Sequence, residues 1–222
     1  RSNEILWWWA DALFMAPPAL TELSSIMKTN KFSVYTFQEW KNTYKLLYNK
    51  EDSLFYRDKK KYNHIDKLGR NIYWLRGNGW VVAGLAKMLN ILNPDNKQYQ
   101  KYQTVYFEMI DKLVALQSDD GLWRSALLRP KEYPVPETSG SALVCYALAW
   151  GVNAKILKGL DYEEAMLDCW KGLKSKVTEE GKLTNVQPVG HEPARFSPNN
   201  SEVFGSGAFL LVASEIFEYK SH

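Results

Sequence analysis

Cysteine and histidine are scarce in this chain, with two of the first and three of the second among 222 residues. Cys145 and Cys169 each sit inside an apolar helical pattern, which makes them small core residues, not a disulfide framework. His64, His191 and His222 show no ligand spacing, so no metal site is expected and no cofactor is called for. No stretch approaches the roughly 20 apolar residues of a membrane span. No secretory signal pattern opens the chain. Arg1-Ser2-Asn3-Glu4 leads into Trp7-Trp8-Trp9, which reads as the interior of a domain and leaves the compartment open. An excess of one charge is lacking too. The net charge is +3, and Lys59-Lys60-Lys61 is a short solvated run, so neither a nucleic acid nor a membrane is expected as a partner.

Aromatic rings are plentiful. Nine Trp and thirteen Tyr are enough to line a carbohydrate cleft, although rings also simply build cores. Hydrophobic content of 45% and charged content of 24% are those of a globular protein, and the length suits one sizeable domain, residues 1–222.

The central stretch is Tyr73-Trp74-Leu75-Arg76-Gly77-Asn78-Gly79-Trp80. A Gly-Asn-Gly turn is expected here, opening into the helix that begins at Trp80. Trp74, Arg76 and Trp80 would then face one cavity, two stacking surfaces and a guanidinium suited to an anionic sugar ring. The same residues serve equally well as a helix anchor with core aromatics.

Periodicity places a first helix from Asp11 to about Lys28, kinked or restarted at Pro17-Pro18. Asp11 is either its cap or a buried functional acid. Further helices follow over Thr36–Tyr48, Trp80–Leu92, Tyr99–Leu116, a fifth reaching about Leu157, Asp161–Leu173 and Ser201–Tyr219. Thr138 or Ser139 should cap the fifth, and Asp161 the sixth. Arg57-Asp58 lies on the loop before the central motif, either a surface ion pair or part of a site. Long loops over 117–137 and 178–200 are candidates for function. About seven helices in antiparallel hairpins, without a convincing sheet, make an all-α toroid or solenoid. Seven is odd, so the first helix is expected to lack its partner, or the chain to be a fragment.

Four ordered blocks resemble the unsaturated uronyl hydrolases, in particular their rhamnogalacturonyl branch. They are Trp9-Ala10-Asp11-Ala12-Leu13-Phe14-Met15, Trp74-Leu75-Arg76-Gly77-Asn78-Gly79-Trp80, Glu137-Thr138-Ser139-Gly140-Ser141-Ala142 and Gly205-Ser206-Gly207-Ala208-Phe209-Leu210-Leu211. The resemblance implies an incomplete (α/α)6 toroid, the C-terminal part of a twelve-helix double ring, in a cytoplasmic or periplasmic enzyme. It implies hydration of the C4=C5 double bond of an unsaturated uronic-acid oligosaccharide, with Asp11 as general acid and then base. Trp9, Met15, Arg57, Trp74, Arg76 and Trp80 would bind substrate, with the arginines on its carboxylate. His64 and Glu137 are further candidates. The family has a second functional aspartate upstream of the Trp-x-Asp block, and nothing here matches it. Where some members carry a histidine before the central motif, this chain has Arg57, with His64 nearby.

The chemistry needs an acid that keeps its proton at rest. Burial among Trp7, Trp8 and Trp9 would raise Asp11 above the usual ~3.9, whereas a close arginine would lower it. Two other readings stand beside this one: an inverting glycosidase using Asp11 and Glu137, and a non-catalytic carbohydrate-binding or structural remnant. An open ring exposes apolar helix faces, so a homo-oligomer or the upstream half of the barrel is the expected protein partner.

Overall fold

Thr138–Asn153 forms a helix buried at every position from Thr138 to Gly151. A helix with no polar face has to be enclosed on all sides. The computed structural model, which describes residues 5–62, 65 and 68–221, supplies that enclosure. In chain order the helices are α1 (Ala12–Met15), α2 (Pro17–Ile26), α3 (Lys31–Leu47), α4 (Leu75–Ile91), α5 (Lys97–Ala115), α6 (Thr138–Asn153), α7 (Leu160–Lys174) and α8 (Val203–Lys220). The first expected helix is thus two, because Pro17 and Pro18 cannot donate to the preceding turn and restart the helix at its first positions. A two-residue hairpin, β1 (Tyr48–Asn49) with β2 (Leu54–Phe55), is antiparallel with Tyr48 opposite Phe55.

Contacts between helices form two concentric arcs. α6 packs on α8 and α4, and α4 packs on α2, which makes the inner arc. α3 packs on α2, α5 on α4 and α7 on α6, which makes the outer arc. The outer helices need one apolar face only, and rings supply much of it. Trp40 of α3 meets Tyr102 of α5 edge-on at 4.8 Å, and both are buried. Tyr106 of α5 donates to the Ala147 carbonyl of α6 at 2.7 Å, so its hydroxyl is satisfied inside the core. The two cysteines, both free, are buried as expected. The expectation that the first helix lacks a partner is reversed: α2 pairs with α3, while α8 rests chiefly on α6. Val203, Leu210 and Phe217 of α8 stay exposed.

Where helices approach closely, glycine permits it. A Cβ at Gly84 would stand 2.5 Å from the Leu13 carbonyl oxygen, so α1 lies directly on α4. A Cβ at Gly79 would stand 3.0 Å from the Gly140 carbonyl oxygen, which brings the start of α4 against the start of α6. Within Gly205-Ser206-Gly207-Ala208 only one of the two glycines makes such a close approach. Gly205 abuts Val186, but Gly207 faces open space.

The loops preceding α1, α4, α6 and α8 gather at one end. Trp9 bridges Asp58, Trp74 bridges Ala126 and Arg124 bridges Pro136. The Thr138 N–H donates to the Asn185 carbonyl at 3.0 Å. Backbone pairing of this kind joins the four loops into one surface.

Candidate active site

The segment before α1 runs beside residues 57 and 58, the Ala10 N–H donating to the Arg57 carbonyl at 2.8 Å. Trp7 enters the core against Tyr35, Trp8 is exposed, and Trp9 is half-buried with its ring 5.0 Å from that of Trp8. The expectation that all three indoles enclose Asp11 is corrected accordingly.

Asp11 stands at the cap position of α1 yet makes no side-chain capping bond. Its carboxyl is 14% exposed, with Oδ2 3.5 Å from Arg57 Nε. Neither atom has a hydrogen-bond partner among the described residues. Burial pushes the Asp11 carboxyl above the ordinary aspartate value; Arg57, a backbone hydrogen bond and Arg76 oppose, Asp58 reinforces, and the balance is upward. The anticipated conflict between burial and a nearby arginine thus ends in favour of burial. Asp58 is part of the reason, since its Oδ2 takes a bond from Arg57 Nη1 at 2.8 Å. Asp58 is buried and also accepts from the Lys60 N–H at 2.8 Å, so Arg57 is held from one side and open at Nε. The Arg57 guanidinium lies 5.7 Å from the Trp8 ring.

The central motif is helical, not a turn. α4 begins at Leu75 with Trp74 at its cap, and Gly77-Asn78-Gly79 lies inside it. Two tertiary effects override the poor helix propensity of Gly-Asn-Gly: the close approach of α6, and Asn78 itself. The Asn78 side chain accepts from the Phe55 N–H at 2.8 Å and donates to the Phe55 carbonyl at 3.0 Å, as a neighbouring strand would. That pairing fixes the arm leading to Arg57.

Arg76 is 3% exposed and stacked between the rings of Trp74 and Phe204, at 4.6 and 4.7 Å. Nη1 donates to the Gln187 carbonyl at 2.5 Å and Ser139 Oγ at 3.2 Å, and Nη2 to the Pro188 carbonyl at 2.8 Å. Both terminal nitrogens are committed to protein oxygens. Glu137, fully buried, lies 3.7 Å from Nη1. It is the cap of α6, in place of the expected Thr138 or Ser139. Its carboxylate accepts from Ser139 Oγ at 2.6 Å, the Gly140 N–H at 2.7 Å and the Gln187 N–H at 3.1 Å. Gly159, not Asp161, caps α7, and Asp161 sits in its first turn.

Of the remaining candidates, Trp80 packs on Phe14 of α1 at 4.7 Å. Met15 is exposed at the end of α1. His64 lies outside the described residues. Gln187 is a residue that sequence reasoning missed. Its Oε1 accepts from Trp74 Nε1 at 3.3 Å, and its Nε2 donates to the Glu192 carbonyl at 2.8 Å. Glu192 in turn pairs with Lys61 at 2.5 Å, which ties the loop over 187–194 to the Arg57 arm. Only the position of Gln187 in a long loop hinted at this.

Fold and loop surface together define an all-α protein of the incomplete (α/α)6 toroid type, the architecture of helical-ring glycoside hydrolases. The chain belongs to Glycosyl Hydrolase Family 88, which matches residues 2–220. It is similar to an unsaturated 3S-rhamnoglycuronyl hydrolase of Formosa agariphila, 39% identical over 96% of this chain and 58% of that protein. A protein of the same description from Alteromonas sp. (strain LOR) is 33% identical over 96% of this chain and 52% of its own length. A solved family 88 hydrolase from Bacteroides vulgatus superposes with a TM-score of 0.91 at 33% identity, covering 97% of this chain and 64% of that one. The chain therefore spans a little over half the length of the curated relatives it matches.

Proposed function

We propose that this chain serves in the hydrolysis of unsaturated uronyl oligosaccharides, rhamnogalacturonyl or glucuronyl in type, by hydration of the C4=C5 double bond. The observation that carries the reading is Asp11: a buried carboxyl, held toward its protonated form, with an oxygen that accepts nothing and an arginine beside it. Protonated Asp11 delivers its proton to C4, and positive charge spreads over C5 and the ring oxygen. Water adds to C5 while the Asp11 carboxylate takes up its proton. The resulting hemiketal opens and releases the neighbouring sugar. Vinyl-ether hydration does not depend on the two-carboxylate spacing of ordinary glycosidases.

Arg57 is the group we assign to the substrate carboxylate, because its Nε has no hydrogen-bond partner among the described residues while Asp58 holds Nη1. Trp8, Trp9 and Trp80 provide ring faces for sugar stacking. Arg76, with Trp74, anchors the 187–194 loop as the wall of the site and adds positive field at Asp11. The names of the relatives, unsaturated rhamnoglycuronyl hydrolases, support the substrate class. In this reading residues 1–222 are one domain, the C-terminal portion of the toroid. A homo-oligomer or the rest of the ring is the protein partner in this reading.

The test follows the loss of ultraviolet absorbance of the conjugated double bond in unsaturated disaccharides, on this chain and on one extended upstream. Asp11→Asn should lower turnover at least ~100-fold, the lower end of general acid–base contributions, with binding retained. Comparable turnover in that variant overturns the assignment. Glu137→Gln should keep turnover within about tenfold, since Glu137 is enclosed by donors of its own protein; a loss as deep as that of Asp11→Asn would instead favour the paired-acid glycosidase. Binding without turnover in both lengths of chain would favour the carbohydrate-binding remnant.

A further inference from the structure

Away from Asp11, the two long loops meet around a cavity of about 260 Å³. Lys131, Tyr133 and Pro134 line it from the 117–137 loop, and Ala194, Arg195 and Phe196 from the 178–200 loop. Its volume lies below the ~300–1,000 Å³ of a drug-sized site, so it suits a single ring. Two aromatic rings and two cations line it together. Glu132, the carboxylate at its edge, is already engaged by Arg70 at 3.1 Å and Arg129 at 3.2 Å. Neither Lys131 nor Arg195 makes an ion pair among the described residues, so the surplus charge is positive. Behind Tyr133, the buried Arg129 keeps its Nε without an acceptor among the described residues. Two consecutive turns, the Glu132 N–H on the Arg129 carbonyl at 3.1 Å and the Tyr133 N–H on the Pro130 carbonyl at 3.3 Å, fix the first wall and limit the ordering a ligand must impose.

The cavity is coupled to the site above. The Ala194 N–H donates to Gln187 Oε1 at 3.4 Å, and the Gln187 carbonyl is held by Arg76.

We propose that this cavity binds an acidic sugar unit, carrying a carboxylate or a sulfate ester, with Tyr133 and Phe196 on the ring and Lys131 and Arg195 on the anionic group. Guanidinium and ammonium groups favour the anion, and ring faces favour the C–H surface of the sugar. As a second subsite for the same oligosaccharide it rests on the hydrolase reading; as a binding site it does not.

Amide spectra of the full 222-residue chain titrated with sodium glucuronate, glucose 6-sulfate and glucose provide the test. Saturable shifts at residues 131–133, 135 and 194–196 are expected from either acidic sugar and not from glucose, whether or not residues around Arg57 also respond. The stronger of the two acidic sugars identifies the anionic group. Lys131→Ala with Arg195→Ala should weaken that binding at least about tenfold, while Asp11→Asn leaves it unchanged. Equal shifts from glucose, no saturable shift from either acid, or full binding by the double variant would each overturn the proposal. Failure of turnover alone would count against the hydrolase reading and leave these titrations standing.

Discussion

Asp11 shows how one residue trades stability for chemistry. Its folded-state value is raised by burial, so the native protein holds this proton more tightly than the unfolded chain does. The associated stability is fully present below the unfolded value of ~3.9 and is lost as the pH rises through the folded value. Above the unfolded value the native state therefore carries a cost for holding this group, Arg57 notwithstanding. Asp11→Asn should melt higher than the native chain at pH 7, and the two curves should converge as the pH falls toward ~4. Thermal scans across that range check it; an Asn variant that melts lower at pH 7 would show that the Arg57 contact outweighs desolvation.

Helices α1 and α4 carry the two halves of the site, and their separation depends on one missing side chain. Gly84 admits the Leu13 carbonyl where a Cβ would meet it at 2.5 Å. Both contacting groups are backbone, so neither can swing aside. Gly84→Ala should cost roughly 1–3 kcal/mol in urea unfolding, the usual penalty of overpacking. It should also reduce turnover by up to ~100-fold through displacement of Asp11, as angstrom-scale misplacement does. A variant with normal stability and normal turnover would mean that α1 is not seated as described. The same dependence on close approach explains the reading of Gly77-Asn78-Gly79. Propensity alone makes that triplet a turn, whereas Asn78 bonding to Phe55 and the nearness of Gly140 make it helix.

Across the whole molecule, the inner arc ends in exposed apolar surface. Val203, Leu210 and Phe217 of α8 and Ile26 and Met27 at the end of α2 are all exposed. Exposed apolar patches beyond a few hundred Å² are uncommon on monomers. The isolated 222-residue chain should self-associate at micromolar concentration, and sedimentation equilibrium should show mass rising with concentration. A concentration-independent monomer would refute this. No helix among the described residues is long and apolar enough to cross a membrane.

The periodic spacing of rings and aliphatic residues was sufficient on its own to give an all-α chain and, to within a few residues, the spans of α5, α7 and α8. Apolar burial at 3.6-residue intervals is a local property that the chain carries wherever it folds. Family likeness likewise resided in contiguous blocks, Trp9 to Met15 and Trp74 to Trp80 among them. What no local pattern contained was the partner of each polar group. Glu137 became the cap of α6 because a buried Arg76 and the Gln187 N–H stand next to it. Arg76 turned to the Gln187 and Pro188 carbonyls, more than a hundred residues away in sequence. Asp11 kept its carboxyl uncapped because Arg57 and Asp58 arrived beside it. Desolvation and charge pairing depend on what the folded chain brings within a few ångströms, and only the tertiary structure decides that.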